Sequence, residues 1–155
     1  MDYTRLIQAI ERLKFSKDRL DHHPEGNVLE HSLQAFWIAH KESSDRELHA
    51  AALLHDIGKQ ICTLEHDKLS LDILESFGYY NEKVLWLIKN HIRVIWFIDG
   101  TMKKRNKVQE LLGNKWFKDL VHLRRIDNSA RKANKKSKLD KEMINNLLEV
   151  TNDTK

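Results

Sequence analysis

The sequence predicts an all-α domain, a compact bundle of about seven helices. Apolar residues recur at three- and four-residue intervals along most of the chain, and residues suited to helix N-caps stand ahead of several of those runs. Glycine and proline, the usual punctuation of loops, number only five and one. Strand signals are weak: only Val94-Ile-Trp-Phe-Ile98 is β-branched and aromatic, and one such run cannot make a sheet.

In order along the chain, Tyr3 to Phe15 places Leu6, Ile7, Ile10, Leu13 and Phe15 near one helical face. Asn27 followed by Glu30 resembles a capping box that opens a helix through about His40. Ser44 or Asp45 caps the next helix, which carries the apolar run Leu48 to Leu54 and continues to Asp56. Asp67 to Phe77 brings Leu69, Ile73, Leu74 and Phe77 together, with Gly78 just past its end. Asn81 to about His91 carries Val84, Leu85 and Ile88. A helix near Val108 to Leu112 stops at Gly113, and Asn114 opens one extending to about Arg131. Leu139 to Val150 is a last amphipathic helix. Met1–Asp2 and Thr151–Lys155 are expected to fray. With no internal repeat and no boundary, residues 1–155 read as one domain with its core at about 20–131.

A chain of 155 residues is long enough for one core without staples. Cys62 is the only cysteine, which excludes an intrachain disulfide and points to a reducing cytoplasm. No apolar run approaches a membrane span, and Met1-Asp-Tyr-Thr-Arg lacks a signal-peptide pattern, so a cytoplasmic protein with no membrane partner is expected. The net charge of +4 is uneven: from Lys103 to Lys138 there are thirteen Lys or Arg against Glu110, Asp119 and Asp127. Such a region favours polyanionic partners, nucleotide or nucleic acid. For Lys132 to Lys138 a solvated helix surface is the preferred reading, with a flexible arm as the other.

The most informative residues are 55–59, His-Asp-Ile-Gly-Lys, at the end of the apolar run. A neutral imidazole beside a carboxylate offers one nitrogen and one oxygen to a divalent metal. Neighbours on a helix point about 100° apart, so a shared ion must lie in the wedge between them. Further ligands must come from other helices, and His31, His66, His91 and Asp127 are available. An isolated His-Asp pair is a common accident, Gly58 could be a plain helix C-cap, and His31, beside Val28, Leu29 and Leu33, could be a hydrogen-bonded core histidine. Arg124, Asp127, Asn128 and Arg131 share one helical face, opposite Leu120, Leu123, Ile126 and Ala130. An acid in that basic stripe is either a surface ion pair or a metal ligand flanked by cations.

Four stretches carry a resemblance: Asn27-Val-Leu-Glu-His31, Ala51-Leu-Leu-His55-Asp56-Ile-Gly-Lys59, Lys89-Asn-His91 and Arg125-Ile-Asp127-Asn-Ser-Ala. Together they resemble the HD superfamily of metal-dependent phosphohydrolases over roughly residues 22–131. The lead-in His22-His-Pro-Glu-Gly26 looks most like the HD domains of CCA-adding tRNA nucleotidyltransferases, with His22 and His23 placed to line an entrance. The resemblance implies His31, His55, Asp56 and Asp127 as metal ligands and places Lys59 beside the substrate phosphate, where its plain alternative is a solvated helix-end charge. It leaves a second metal open, since His66 and His91 resemble the extra histidines of two-metal relatives. With one metal, His91 becomes an acid–base group or a substrate contact. Asp56, Lys59 and His91 are then the catalytic candidates. Lys59, Arg124, Asn128 and Arg131 are the substrate-binding ones, Arg being suited to bidentate phosphate contacts. His40, His49 and His122 read as structural or exposed.

Two nitrogens and two oxygens suit manganese, iron, cobalt, nickel, zinc or magnesium. A bound metal would lower the pKa of a water for attack on phosphorus and neutralise phosphoryl charge. The expected activity is hydrolysis of a nucleotide-like phosphoester, of nucleotidase or 2′,3′-cyclic phosphodiesterase type. The alternatives are hydrolysis of deoxynucleoside triphosphates or dinucleoside polyphosphates, or a non-catalytic module that binds nucleotide or nucleic acid. Expected partners are a small phosphorylated substrate or an RNA end. A second copy of the chain is another, through Trp86, Trp96, Phe97 and Trp116, although core packing is the default role of those four rings.

Overall fold

The apolar intervals become helices in the computed structural model, which describes residues 3–16, 26–132 and 136–153. The order is α1 (Thr4–Glu11), a 3-10 turn (Arg12–Phe15), α2 (Val28–Glu42), α3 (Arg46–Leu54) and a second 3-10 turn (Ile57–Gln60). Then come α4 (His66–Ser76), α5 (Glu82–Asn90), α6 (Arg93–Ile98), α7 (Arg105–Gly113), α8 (Phe117–Ser129) and α9 (Lys141–Thr151). The fold is all-α, with nine α-helices among the described residues against about seven predicted. The helix that matches no segment read from the sequence is α6, built on the β-branched run. With no sheet to join, Val94 is instead fully buried and the Phe97 ring packs edge-on against Phe117 of α8 at 5.4 Å.

The capping signals at Asn27, Asp45 and Asn81 act as read, and Asp140 caps a last helix that the sequence places from Leu139. Asn27, Asp45, Asn81 and Asp140 each accept a backbone N–H from the first turn of α2, α3, α5 and α9, at 2.8, 2.9, 2.9 and 3.1 Å. The capping box at Asn27 is only half formed, because the Glu30 carboxylate takes the Ser137 N–H instead. α8 starts three residues later than expected: Asn114 accepts the Trp116 N–H at 2.8 Å and the helix begins at Phe117.

α3 is the axis of the bundle. Leu48 through Leu54 are all buried, and the helix packs against α2, α5, α8 and α9. A helix that is apolar all round must be enclosed, and Ala50, Ala51 and Ala52 keep its neighbours close. The position of its C-terminal end therefore fixes where residues 55 and 56 lie.

Several expectations are corrected. α3 ends at Leu54, not at Asp56. Phe15 does not join the core face; it is 76% exposed at the end of the 3-10 turn. Of the four aromatic residues assigned to packing by default, Trp86, Phe97 and Trp116 are half-buried but Trp96 is 50% exposed. The C-terminus does not fray from Thr151: Thr151 and Asn152 are buried. Asn152 donates to the Tyr3 hydroxyl at 2.9 Å and to the Gly78 carbonyl at 3.0 Å, and accepts the Tyr80 N–H at 3.1 Å. Nor do the described parts of 132–138 form a helix surface. Lys132 exchanges hydrogen bonds with the Gln34 side chain, and Trp37 donates to the Lys138 carbonyl at 2.8 Å, so both residues are tied to α2. His22 and His23, Met1–Asp2 and Thr154–Lys155 lie outside the described residues. No helix among the described residues is long and apolar enough to cross a membrane.

Candidate metal centre

His55 is the last αR residue at the end of α3, and Asp56 leaves the helix with φ −108° and ψ 11°. That departure, rather than a 100° step along one helix, brings both side chains to the same point. Around them α2 supplies His31, the start of α4 supplies His66, the end of α5 supplies His91, and α8 supplies Asp127. All six are buried. The structure thus gathers every metal-ligand candidate read from the sequence into one cluster.

Asp56 divides the cluster in two. Its Oδ2 lies 3.3 Å from His55 Nε2 and 3.5 Å from His31 Nε2. Its Oδ1 lies 3.0 Å from His66 Nε2 and 3.6 Å from His91 Nε2. His31, His55 and Asp56 form one group with ligand atoms within 4.8 Å of one another, and Asp56, His66 and His91 form a second. Asp127 Oδ1 joins the first at 2.8 Å from His31 Nε2 and 3.4 Å from His55 Nε2.

The hydrogen bonds at the far side of each ring fix its chemistry. His31 Nδ1 lies 2.7 Å from the Ala130 carbonyl, His55 Nδ1 2.8 Å from Ala52, His66 Nδ1 2.9 Å from Thr63 and His91 Nδ1 2.5 Å from Ile88. A carbonyl only accepts, so each Nδ1 must carry its hydrogen and donate. In a neutral ring Nε2 is then a bare lone pair, and all four Nε2 atoms point into the cluster. His66 Nε2 and His91 Nε2 face each other at 3.1 Å, and the buried His55 Nε2 has no hydrogen-bond partner. Lone pairs and carboxylate oxygens crowded in this way repel unless a cation sits among them. The rings are held as metal-binding imidazoles are, with the second nitrogen bonded to orient the first. Two-nitrogen, two-oxygen and two-nitrogen, one-oxygen sets of this kind fit divalent ions of the borderline class.

Protons are the competitor. Burial opposes charge on His55, but Asp56 and Asp127 outweigh it and hold its pKa up to about 10. Burial pushes Asp56 and Asp127 upward, yet His55 and Lys59 around Asp56, and His31 and His55 around Asp127, bring both carboxyls well below the usual range. His91 is lowered, chiefly by burial. A positive charge is therefore held at this point, by proton or by metal.

Lys59 is not a solvated helix-end charge. The 3-10 turn folds it back, its side chain is 7% exposed, and Nζ stands 3.4 Å from Asp56 Oδ2. Arg124 reaches Asp127 Oδ2 at 3.1 Å, and Arg131 lies 3.9 Å from Oδ1, so both guanidiniums border the cluster through Asp127. Asn128 is exposed and is not among the side chains the cluster gathers. His122 pairs with Glu42 at 2.9 Å, away from the cluster. His40 is exposed, and His49 is buried against the Ser43 carbonyl.

Two residues that position the centre escaped sequence reasoning. Gly58 is no C-cap; its role is close approach. A Cβ there would lie 2.3 Å from the His66 carbonyl oxygen and 2.7 Å from the Ser70 nitrogen. The buried Ser70 hydroxyl accepts the Gly58 N–H at 2.8 Å and donates to the His66 carbonyl at 2.7 Å. Together they lock the start of α4, and with it His66, against the turn after Asp56. Glu65, immediately before His66, has φ 55°, a left-handed conformation uncommon outside glycine.

Residues 28–150, most of the chain, match the family model described as HD domain. A search of curated proteins finds none that matches.

Proposed function

Because the chain belongs to the HD-domain family, we propose that it is a metal-dependent phosphohydrolase that cleaves a nucleotide-like phosphoester at a two-metal centre shared through Asp56. The observation that carries this reading is the set of four buried imidazoles with Nδ1 committed to backbone carbonyls and Nε2 aimed at carboxylate oxygens. His31, His55, Asp56 and Asp127 would hold one ion; Asp56, His66 and His91 would hold the other. When bound, divalent ions supply an acidified water and neutralise charge on the phosphoryl group.

The rest falls to the chain itself. Lys59, fixed beside Asp56, offers its ammonium to a non-bridging phosphate oxygen. Arg124 holds Asp127 with one oxygen towards the histidines. Arg131, 3.9 Å from Asp127 Oδ1, brings a second guanidinium to the side of the centre where a substrate anion would lie. The burial of the cluster keeps these charges in a low-dielectric setting where they act strongly.

The test is phosphate or nucleotide release from 2′,3′-cyclic nucleotides, nucleoside mono- and triphosphates and a dinucleoside tetraphosphate. Manganese, nickel, cobalt and magnesium are each supplied, and Asp56→Ala is run alongside. One class should be hydrolysed by the wild type, with activity lost in chelator and reduced at least a hundredfold or so in the variant. Salt-sensitive binding of nucleic acid with no metal-dependent turnover would instead support the binding-module alternative.

A further inference from the structure

Beside the His66–His91 half of the centre lies a cleft of about 470 Å³ that the reaction described above does not use. Its walls begin at the sequence neighbours of two ligands, Glu65 before His66 and Ile92 after His91, so it opens alongside the second metal group. Trp96 lines it and is 50% exposed despite its size. Arg93, Lys103, Lys104 and Lys107 line the cleft, and none of the four has an ion-pair partner among the described residues. Of the two acids at the metal-side edge, Glu65 is occupied by Lys68 at 3.5 Å.

The ring is carried on a fixed support. The Trp96 carbonyl accepts from the Thr101 N–H at 2.9 Å, the Met102 N–H at 3.2 Å and the Thr101 hydroxyl at 3.2 Å. Gly100, with φ 73°, makes the reversal that allows this, and the chain then sets Lys103 and Lys104 in the same cleft as the indole. An exposed aromatic face suits a base, and a group of unpaired cations suits phosphate. The volume falls in the range of small-ligand sites, about 300–1,000 Å³, and not that of a channel for a long strand.

We infer that this cleft is the substrate's specificity pocket: Trp96 stacks the base, and Arg93, Lys103, Lys104 and Lys107 hold phosphate beyond the one cleaved, so that the preferred substrate is a nucleoside polyphosphate. The inference rests on the phosphohydrolase reading for the reaction, but the pocket can be tested without it. Adenosine, AMP, ATP and inorganic tripolyphosphate are titrated in chelator onto the full-length wild type, Trp96→Ala, Trp96→Phe and the double variant Lys104→Ala/Lys107→Ala. Wild type should bind ATP at least about tenfold more tightly than AMP or adenosine. Trp96→Ala should weaken ATP and AMP about tenfold and leave tripolyphosphate unchanged, with Trp96→Phe restoring most of the loss. The lysine variant should weaken ATP and tripolyphosphate about tenfold, leave AMP unchanged and flatten the salt dependence.

With manganese and a hydrolysed nucleotide, Trp96→Ala should raise KM and leave kcat near wild type. Equal binding of ATP and AMP by the wild type, or variants that bind as the wild type does, would overturn the pocket. Metal-dependent hydrolysis with a KM unmoved by either variant would also overturn it while leaving the metal centre standing. Variant-sensitive ATP binding without hydrolysis would uphold the pocket and sink the reaction.

Discussion

Gly58 shows how closely the centre is assembled, since the atoms a Cβ would strike are backbone atoms of α4 that cannot rotate aside. Gly58→Ala should cost about 1–3 kcal/mol, the usual range for overpacking, read from urea unfolding. It should also weaken metal binding at His66 and His91 before it touches His31 and His55. A second prediction at this scale concerns pH. His55 is raised from 6.5 to about 10 in the folded chain, so its ion pairs contribute fully below 6.5 and are lost as pH rises through about 10. His91 is lowered from 6.5, and Asp56 and Asp127 lie well below 3.8, so all three remove stability as pH falls. The metal-free chain should therefore be most stable near pH 6.5 and weaken towards 10. In excess manganese, which requires neutral His55, stability should instead rise from 6.5 to 8. Urea midpoints measured in chelator and in manganese check this, and equal slopes in the two would contradict it. The six ligand candidates were legible because their types and order stand in the sequence. The Nδ1 partners were partly latent there: His55, His66 and His91 each use the carbonyl three residues back. The Ala130 carbonyl that orients His31 lies 99 residues away, and the contact that Gly58 permits is likewise tertiary; no local pattern announces either.

Among the elements, α3 sets the position of the site, and its start is as important as its end. Asp45 accepts the Glu47 N–H at 2.9 Å and also pairs with Lys83 of α5, which in turn reaches Asp119 of α8 at 2.8 Å. Asp45→Ala removes the cap and one arm of that bridge, and should cost about 1–2 kcal/mol in thermal or urea unfolding. The per-molecule activity of the folded fraction should stay unchanged. A larger loss of kcat than of stability would show that the end of α3 moves when its beginning does. Helices opened by Asn27, Asp45 and Asn81 were readable because a cap is a local hydrogen bond. α6 was not, because its β-branched residues favour strands where a sheet exists, and here burial of Val94 and the packing of Phe97 on Phe117 override that preference. The exit of Asp56 from α3 was equally hidden, since an apolar run shows where a helix packs but not on which residue it stops.

At the scale of the whole molecule, two uneven distributions meet at one place. The chain's buried polar side chains include six that converge from α2, α4, α5, α8 and the end of α3, and two cations of the basic region, Arg124 and Arg131, border that convergence through Asp127. The ends are drawn in as well: Asn152 ties Tyr3 and residues 78–80 together, a closure that the polar composition of the last five residues concealed. The all-α class could be read from periodicity, but the division of the cluster into two groups by the two oxygens of Asp56 depends on packing between five segments. That division is the central claim, and counting bound metal tests it most directly. Manganese titrated onto the metal-free full-length protein, followed by electron paramagnetic resonance and calorimetry, should give two ions per chain. The same titration should give one ion for the double variant His66→Ala/His91→Ala and none for Asp56→Ala, with each variant's fold checked by circular dichroism. A wild type that binds no ion, or an Asp56→Ala variant that binds as many as the wild type, would contradict it.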